Sequence, residues 1–370
     1  MDSDDDGKEH EVVVPENDEG DSESLSDEEK DCPVYLGFAI EEGDHDHNHN
    51  NNNDDEDDFP SVIGGLPLWP SSVSSLSGRS EELQCSLCRA SMPLLCQIYA
   101  PLDRFDDDRA HHRFLALFVC TRAACWRSKN CAVALRSQLR KGEQFADNNE
   151  GLLCCVCGKP AFKTCSKCHT RQYCSQGHQM MDWKAGHKLS CGKTDDEPEP
   201  MRSFEGDNLV VLRRMVIESE EEHYVFDKES VADMANASSA LVSVETRSKL
   251  APLTAEQMKL MENSKKADNT FLKFQHRTRD NQDQVLRYSF GAKKPLWVNS
   301  EGQLIGDPPN CKLCGGKRVF EFQVMPQLLY FLKVDLREET AMDWNSLIVY
   351  SCENSCQPLD GYAHEYVFVH

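Results

Sequence analysis

The sequence has no long hydrophobic run. Its longest apolar stretch, Phe114–Cys120, is seven residues long, whereas a membrane-spanning helix needs about 18 or more. The chain begins MDSDDDGKEH, without the basic and apolar segments that make up a secretory signal. We therefore expect a soluble intracellular protein with no membrane partner, in a compartment that keeps thiols reduced.

Basic residues are almost missing from the first 58 residues, which hold 24 acidic side chains against two bases, Lys8 and Lys30. The net charge of the whole chain is −23, so the other 312 residues, with 39 acids and 38 bases, are close to neutral. Residues 1–58 are also poor in aromatic residues and cannot bury enough apolar surface to offset the entropy of ordering. This composition predicts a disordered acidic tail before about 310 residues of folded protein, enough for roughly two or three domains.

Motifs of the common enzyme classes are also missing from the sequence. It contains no Walker loop, no Gly-x-Ser-x-Gly elbow and no His-Glu-x-x-His helix. A SET-type lysine methyltransferase would need an Asn-His-Ser-Cys run, and Pro309-Asn310-Cys311 is only a fragment of one. We therefore expect a protein that binds and does not catalyse.

Cysteine, in contrast, is abundant, with 18 residues. In a reducing compartment, closely paired cysteines indicate metal ligands and not disulfides. Residues 154–191 hold four such pairs with spacings of two or three residues. The pairs are Cys154 with Cys157, Cys165 with Cys168, Cys174 with His178, and His187 with Cys191.

These eight side chains predict two closed zinc sites, because zinc prefers four nitrogen and sulfur ligands in a tetrahedron. A closed site has no open position for water or substrate, so its role is structural. In so short a segment the metal also replaces most of the hydrophobic core. Cys155 and His169 are surplus, since only Cys154 gives the two-residue spacing to Cys157.

A module of roughly 70 residues occurs twice, on either side of this block. Each copy contains Pro-Leu-Trp, then Cys-x2-Cys, then a glutamine nine residues later, and then a strand-like run ending at a second cysteine pair. These motifs begin at Pro67, Cys85, Gln97 and Cys120 in the first copy, and at Pro295, Cys311, Gln323 and Cys352 in the second. Chance similarity between two strand-rich segments is the alternative.

The cysteines of each copy have the arrangement of a zinc ribbon, and so they predict one or two further zinc ions. The first set is Cys85, Cys88, Cys120 and Cys125, and the second is Cys311, Cys314, Cys352 and Cys356. Buried free thiols in a β-core are the alternative, because cysteine packs as a small hydrophobic residue. Cys32, Cys96 and Cys131 have no partner at ligand spacing and are expected to be core or loop thiols.

The central block resembles the MYND finger family in its ligand spacing, in Tyr173-Cys174 and in Asp182-Trp183. The resemblance implies cross-bracing, with Cys154, Cys157, Cys174 and His178 on one zinc and Cys165, Cys168, His187 and Cys191 on the other. MYND fingers are generally protein-interaction modules, often for proline-rich peptides. Residues 151–193 carry seven bases and one acid, which fits a solvated basic face, an acidic partner, RNA, or the protein's own tail.

Further motifs occur on both sides of the finger, namely Val34-Tyr35-Leu36-Gly37-Phe38, Gln97-x-Tyr99-Ala100-Pro101, Gln284-Val285-Leu286-Arg287-Tyr288 and the run from Glu321 to Leu328. In these motifs the chain resembles the programmed cell death protein 2 family over residues 33–370. The resemblance implies a non-enzymatic chaperone or adaptor for a newly made, basic small-subunit ribosomal protein, in support of 40S ribosome biogenesis. Its location would be the cytoplasm, and shuttling to the nucleus stays open. The alternative is a MYND-mediated co-regulator of transcription or cell death; direct nucleic-acid binding is not expected, since basic runs with interleaved aromatics are missing.

The predicted fold is mixed and β-rich. Two pseudo-repeated, zinc-ribbon-like β-modules form one body, with an inserted MYND zinc finger projecting from their connection and a disordered acidic N-terminal tail. The predicted ranges are 1–58 for the tail, including a short family motif near 33–40, 59–145 for the N-terminal β-module, 151–193 for the finger, 194–270 for an acidic and polar linker with some local structure, and 271–370 for the C-terminal β-module.

Local patterns predict several elements within these ranges. Strands are expected at Leu94–Leu102, Phe114–Cys120 and Leu209–Ile217, where apolar and β-branched residues cluster. Thr254 with Gln257 forms a capping box that predicts the start of a helix. A second, amphipathic helical segment is predicted over Phe271–Tyr288.

Overall fold

The computed structural model describes residues 33–41, 59–146, 153–192, 210–223, 268–291, 294–334 and 342–370. These residues form twelve strands and five short α-helices. The strands are β1 (Tyr35–Ile40), β2 (Val62–Ile63), β3 (Leu94–Tyr99), β4 (His112–Val119), β5 (Ala132–Leu139), β6 (Lys163–Thr164), β7 (Gln172–Tyr173), β8 (Met215–Glu221), β9 (Gln284–Tyr288), β10 (Arg318–Val324), β11 (Leu347–Cys352) and β12 (Ala363–Val369). The helices are α1 (Ala123–Trp126), α2 (Gln176–Asp182), α3 (Lys188–Ser190), α4 (Asn269–Thr278) and α5 (Leu328–Phe331), with a 3-10 helix at Val73–Leu83.

Ten strands close into one antiparallel barrel in the order β1-β8-β2-β3-β4-β5-β12-β11-β10-β9. The two remaining strands, β6 and β7, form a separate hairpin in the finger. The order reflects the repeat, because β2 to β5 of the first copy are mirrored by β9 to β12 of the second. The last strands of the two copies, β5 and β12, pair with each other. The prediction of two β-modules in one body is confirmed, and the two modules share a single sheet.

The first strand of each half is exchanged between the halves. β1 precedes the first copy in the chain but pairs with β9 of the second, while β8 precedes the second copy and pairs with β2 of the first. β1 and β8 also pair with each other over six residue pairs. Gly37 lies where β1 passes between its two neighbours. A Cβ atom there would come within 2.8 Å of Ile217 and 2.9 Å of Leu286, so this position of the family motif requires glycine.

The glutamine shared by the two repeats has the same role in each. The side-chain amide of Gln97 accepts from the backbone N–H of Leu68 and donates to its carbonyl, both at 2.9 Å. Gln323 makes the same two bonds to Leu296, at 3.0 and 2.6 Å. Each glutamine thereby fixes the Pro-Leu-Trp segment of its own copy against a barrel strand. The shared sequence offset therefore has a structural cause and is not a chance similarity.

Charged side chains cross the barrel interior. Arg113 on β4 donates two hydrogen bonds of 2.7 Å to the carboxylate of Glu321 on β10, and both side chains are fully buried. β4 and β10 lie four places apart in the sheet, about 19 Å along it at the usual strand spacing, so the pair bridges the interior. A second buried cluster joins Arg136 and Arg318 to Glu365, at 2.7 and 2.9 Å. These pairs tie the two halves together.

Several local predictions can be compared with the described residues. The strands predicted at Leu94–Leu102 and Phe114–Cys120 are confirmed as β3 and β4. The helix predicted over Phe271–Tyr288 is correct for α4 but wrong for Gln284–Tyr288, which is β9. The short Gln-Val-Leu-Arg-Tyr run is compatible with both the helical and the strand period, and it forms a strand because it pairs with β1 and β10.

The strand predicted at Leu209–Ile217 begins later, at Met215, and continues to Glu221. The capping box at Thr254 lies outside the described residues, as do residues 1–32 and 42–58 of the predicted tail. β1 lies at the family motif near 33–40, and β8 lies within the range assigned to the linker. The predicted domain boundaries stay predictions.

Candidate metal centres

The described residues contain four groups of four Cys or His side chains, and in each group the ligand atoms all lie within 4.8 Å of one another. The groups are the N-terminal tetrad (Cys85, Cys88, Cys120, Cys125), the first finger tetrad (Cys154, Cys157, Cys174, His178), the second finger tetrad (Cys165, Cys168, His187, Cys191) and the C-terminal tetrad (Cys311, Cys314, Cys352, Cys356). All sixteen side chains singled out from the sequence are therefore brought together in the expected sets. The finger tetrads have the cross-braced grouping that the MYND resemblance implies.

The distances within the tetrads match a tetrahedral metal site. With zinc–sulfur bonds of about 2.3 Å, two sulfurs of a tetrahedron lie about 3.8 Å apart, whereas a disulfide brings them to about 2.05 Å. The observed distances are 3.6 Å for Cys88–Cys120, 3.5 Å for Cys157–Cys174, 3.8 Å for Cys165–Cys191 and 3.6 Å for Cys311–Cys356. The described cysteines are free thiols. The geometry and the soft donors fit several Zn²⁺ ions.

The histidine ligands use different ring nitrogens. In the first finger tetrad, Nδ1 of His178 lies 3.6 Å from the sulfur of Cys154 and 3.2 Å from that of Cys174. In the second, Nε2 of His187 lies 3.6 Å from the sulfur of Cys168 and 3.3 Å from that of Cys165. Either nitrogen serves as a zinc ligand in proteins.

The four Cys-x2-Cys turns share one backbone conformation. In each turn, the backbone N–H four residues after the first cysteine donates to that cysteine's carbonyl, at 2.8 to 2.9 Å. The residue at this position has a positive φ in every turn. These residues are Arg89 (59°), Gly158 (64°), His169 (60°) and Gly315 (73°). The sequence analysis set His169 aside as surplus, yet the common offset marks all four as turn residues.

Thiol pKa values are lowered at the second cysteine of three turns. Burial would raise the pKa of the Cys168 thiol, but hydrogen bonds from the Thr170 hydroxyl and from nearby backbone N–H groups lower it to about 6. For Cys88, burial is likewise outweighed by the backbone of Ala90, and for Cys314 by that of Gly316, so that both pKa values fall to about 7. Because the thiolate is the metal-binding form, these turns favour metal binding near neutral pH.

At other thiols within the tetrads the pKa is raised and not lowered. Burial, followed by hydrogen bonds from Cys154 and Cys174, raises the pKa of Cys157 well above its ordinary value. Burial is also the main cause that raises the pKa of the Cys120 thiol, and the nearby sulfurs of Cys88 and Cys85 raise it further. Thiols this close can ionise together only around a cation, which reverses the local electrostatics.

The two finger tetrads are positioned by a short hairpin and a helix. The hydroxyl of Ser175 caps α2 by accepting from the N–H of His178 at 3.1 Å, which places His178 in the first turn. Tyr173 donates a 2.7 Å hydrogen bond to the buried carboxylate of Asp182, which also pairs with Arg171. The Tyr173 and Asp182 that suggested the MYND family thus hold the hairpin against α2. Gly186, with φ of 141°, breaks the helix just before His187.

The two outer tetrads are positioned by equivalent strands. Cys120 directly follows β4 and Cys125 lies on α1, while Cys352 ends β11. In the C-terminal tetrad, a guanidinium N–H of Arg136 lies 3.8 Å from the sulfur of Cys356. Arg113 also donates to Ser355, which precedes that ligand. These two arginines come from the first half of the barrel, and no sequence pattern predicted that Arg136 contacts the C-terminal tetrad or that Arg113 contacts the residue before its last ligand.

The surplus cysteines lie outside all four tetrads. Cys96 on β3 and Cys131 before β5 are buried. Burial raises the pKa of the Cys96 thiol, and it raises that of Cys131 to about 12. Burial and the nearby charge of Asp182 raise the pKa of Cys155 to about 12. These neutral thiols pack as core residues. Cys32 lies outside the described residues.

The finger is docked onto the barrel. The expectation that it projects from the connection between the modules is therefore wrong. The indole N–H of Trp69 donates to the carbonyl of Gly158 at 2.7 Å. The buried ammonium of Lys159 donates to the carbonyl of Met92 at 2.6 Å and to the hydroxyl of Ser91. The contact runs through the first knuckle of the finger. The expectation failed because it treated Lys159 as a surface base.

The free face of the finger lies around its second half. Four of its lysines are exposed, namely Lys163, Lys167, Lys184 and Lys188. Met180 and Leu189 are also exposed, at 50% and 77% of their surface. Burial of Lys159 and the pairing of Arg171 with Asp182 make this basic face smaller than the sequence count suggested.

Family models match most of the described chain. A model described as the programmed cell death protein 2 N-terminal domain matches residues 33–151, one described as the C-terminal putative domain of the same protein matches residues 268–370, and the MYND finger model matches residues 154–191. Programmed cell death protein 2 of Bos taurus is 35% identical over 336 residues, covering 84% of this chain and 90% of the relative. The chain belongs to the programmed cell death protein 2 family.

Other family members are similar over comparable lengths. Programmed cell death protein 2 of Mus musculus is 34% identical and covers 91% of this chain and 96% of its own length. The programmed cell death protein 2-like protein of Gallus gallus is 26% identical over 83% of this chain and 91% of its own length. No solved structure matches the chain. Family and finger together indicate a protein-interaction role, and no described helix has the length and apolarity to span a membrane.

Proposed function

We propose that this protein is a zinc-stabilised, non-enzymatic chaperone or adaptor for a nascent, basic small-subunit ribosomal protein and supports 40S ribosome biogenesis. The observation that carries the proposal is the family match, which extends over both barrel halves and the finger. The family resemblance described above implies this client. The place of action would be the cytoplasm, and imaging of the tagged protein tests this and whether the protein shuttles to the nucleus.

The sixteen tetrad side chains are, in this proposal, ligands of four structural zinc ions. Each tetrad supplies a full set of four donors, so that no coordination position is left for water or a substrate. Closed metal sites hold structure, and this supports a binding role.

Charge supports the choice of a basic client. The first 58 residues carry 24 acids and two bases, and β8 adds exposed glutamates on the barrel. Ribosomal proteins are strongly basic and aggregate before they meet RNA. An acidic partner could screen such a client by long-range attraction, which weakens as salt rises.

Affinity purification of the tagged full-length protein from nuclease-treated lysate tests this function. We expect one basic small-subunit ribosomal protein at near-stoichiometric level by quantitative mass spectrometry, and we expect its recovery to survive nuclease. A variant without residues 1–32 serves as the comparison for the tail. Recovery of no ribosomal protein would overturn the chaperone assignment.

A second function, a MYND-mediated co-regulator of transcription or cell death, is favoured by the free face of the finger. Met180 and Leu189 are exposed there beside basic side chains, as a docking site for short peptides, including proline-rich ones, would require. Two results in the same purification would support this alternative. The wild-type protein would recover transcription factors and no ribosomal protein, and the Met180→Asp and Leu189→Asp substitutions would remove those transcription factors.

A further inference from the structure

The outer edge of β8 is open at its C-terminal half. β2 pairs with β8 only at Met215 and Val216, and one more bond joins the N–H of Ile217 to the carbonyl of Ser61 at 2.8 Å. Beyond this point, none of the described residues pairs with β8 on that side. Residues 218–221 are all exposed. The barrel is thus closed through a two-residue strand, and residues 218–221 of β8 have no strand partner on that side among the residues that the structure describes.

The edge is open because the chain before β2 turns away from it. Pro60 cannot donate a hydrogen bond to a neighbouring strand. The Phe59 ring lies 5.5 Å from those of Tyr99 and Phe114 and 4.8 Å from that of Phe145. This aromatic cluster draws the chain toward β3 and β4. The segment that would otherwise continue β2 along β8 is therefore used elsewhere.

The direction of the free backbone groups follows from the strand period of two. Ile217 donates toward β2, whereas Glu222 donates to Val34 on the β1 side at 2.7 Å. Ser219 and Glu221 therefore direct their N–H and carbonyl groups to the open side. These groups can pair with a strand from another chain without disturbing the ladder between β8 and β1.

The charge of this edge selects its partner. Glu220 and Glu221 are exposed on opposite faces of the strand, and neither meets a basic side chain within the described part of the chain. Glu222 is different, because its carboxylate forms ion pairs with the guanidinium groups of Arg277 and Arg287, each at 2.7 Å. A second copy would place glutamate against glutamate, and residues 42–58, with eight acids and no base, would also be repelled.

We propose that the open edge of β8 binds a basic extended peptide of the client, which adds to the barrel as a further strand. The partner's backbone pairs with Ser219 and Glu221, and its lysine or arginine side chains meet Glu220 and Glu221. This inference rests on the proposed function for the nature of the client, but the surface is defined by the barrel alone. The competing role for these glutamates is protection of an edge against aggregation.

The test uses a labelled peptide of alternating arginine and valine, with blocked ends, and measures its binding to the full-length protein by fluorescence anisotropy. Ser219→Pro removes one outward N–H and leaves the bonds to β1 intact, and Ser219→Ala is its matched control. We expect Ser219→Pro to weaken binding about tenfold and Ser219→Ala to change it less than about twofold. Glu220→Gln with Glu221→Gln should weaken binding and reduce its salt dependence.

A second peptide keeps the proposal falsifiable if Ser219→Pro does not fold. N-methylation of alternate residues blocks strand addition but preserves charge, so this peptide should bind the wild-type protein about tenfold more weakly than its parent. Equal binding of the two peptides, or equal binding by the proline and alanine variants, would overturn the proposal. No binding of the parent peptide would leave edge protection as the role of the glutamates and would also overturn it.

The affinity purification separates this inference from the proposed function. Loss of the ribosomal protein from Ser219→Pro but not from Ser219→Ala supports both. Equal recovery from the two variants keeps the chaperone function and rejects the edge as its binding surface. If the wild-type protein recovers no ribosomal protein, the proposed function fails, and the peptide measurements still decide whether the edge accepts a basic strand.

Discussion

At the scale of single residues, side chains that repeat at fixed offsets have structural roles. The side-chain amides of Gln97 and Gln323 each hydrogen-bond to both the backbone N–H and the carbonyl of one leucine. A buried amide that satisfies two backbone groups cannot be exchanged for an apolar residue without leaving those groups unpaired. The sequence repeat at these positions therefore records a hydrogen-bonding requirement.

Substitution of Gln97 by alanine should lower the free energy of unfolding by about 1–3 kcal/mol, because the N–H and carbonyl of Leu68 lose their partner. The measurement is the midpoint of urea unfolding followed by tryptophan fluorescence. Gln282, an exposed glutamine bonded to a nearby carbonyl, provides the control, since Gln282→Ala should leave the midpoint unchanged. A Gln97→Ala midpoint equal to the wild type would contradict the role given to this side chain.

Glu222 should make stability depend on pH. Burial alone would raise the pKa of its carboxyl, but Arg277 and Arg287 outweigh burial and hold the pKa below its ordinary value of 4.5. A depressed folded-state pKa stabilises the protein above the ordinary value, and this contribution is lost as the pH falls through the folded-state pKa. Glu222→Gln should therefore destabilise the protein by about 2 kcal/mol at pH 7.

The difference between wild type and Glu222→Gln should shrink as the pH is lowered below 4.5. Urea unfolding at a series of pH values measures it. Glu41, which forms an exposed pair with Arg213, is the control, and Glu41→Gln should change stability by less than about 1 kcal/mol at any pH. A Glu222→Gln effect that is constant with pH would show that the ion pairs are not its cause.

At the scale of elements, the finger is held to the barrel by its first knuckle. Gly158 presents its carbonyl to Trp69, and Lys159 reaches into the barrel to Met92. The zinc knuckle thus serves both the metal site and the domain contact. The second half of the finger keeps exposed apolar side chains, Met180 and Leu189.

Lys159→Met should loosen this contact by about 1–3 kcal/mol, because the carbonyl of Met92 loses its donor. Hydrogen exchange should quicken at the knuckle and around Met92, while the zinc content stays the same. Lys163→Met, which changes an exposed lysine of the same finger, should alter neither exchange nor zinc content. Unchanged exchange in Lys159→Met would mean that the other contacts, such as that of Trp69 with Gly158, secure the finger without Lys159.

At the scale of the whole molecule, the four tetrads are distributed over one continuous structure. Each outer tetrad lies at one end of a strand pair, β3–β4 or β10–β11, and the finger tetrads form the core of a segment with few apolar residues. Metal and fold should therefore be gained and lost together.

The purified full-length protein should contain four zinc ions per chain, one for each tetrad, as measured by inductively coupled plasma mass spectrometry. Cys311→Ser should remove one ion, because serine is a poor zinc ligand. Cys96→Ser changes a buried thiol outside the tetrads and should keep all four. A wild-type content of two ions would restrict zinc to the finger and leave the outer cysteines as core thiols.

The sequence by itself determined the ligand sets, the repeat and the family. Metal-ligand pairs are local, since the turn between Cys154 and Cys157 is complete within a few residues, and repeated offsets can be read without knowing the fold. The strands β3 and β4 were likewise visible as apolar runs of strand length.

Only the tertiary structure decided how these parts are joined. The exchange of β1 and β8, the pairing of Arg113 with Glu321 and the contact of Lys159 with Met92 connect residues that lie far apart in the chain. Such contacts leave no periodic trace, because each depends on which surfaces the closed barrel brings together. Among the described residues, the edge of β8 beyond Ile217 has the same origin, since Phe59 packs against aromatic residues of other strands and not along β8.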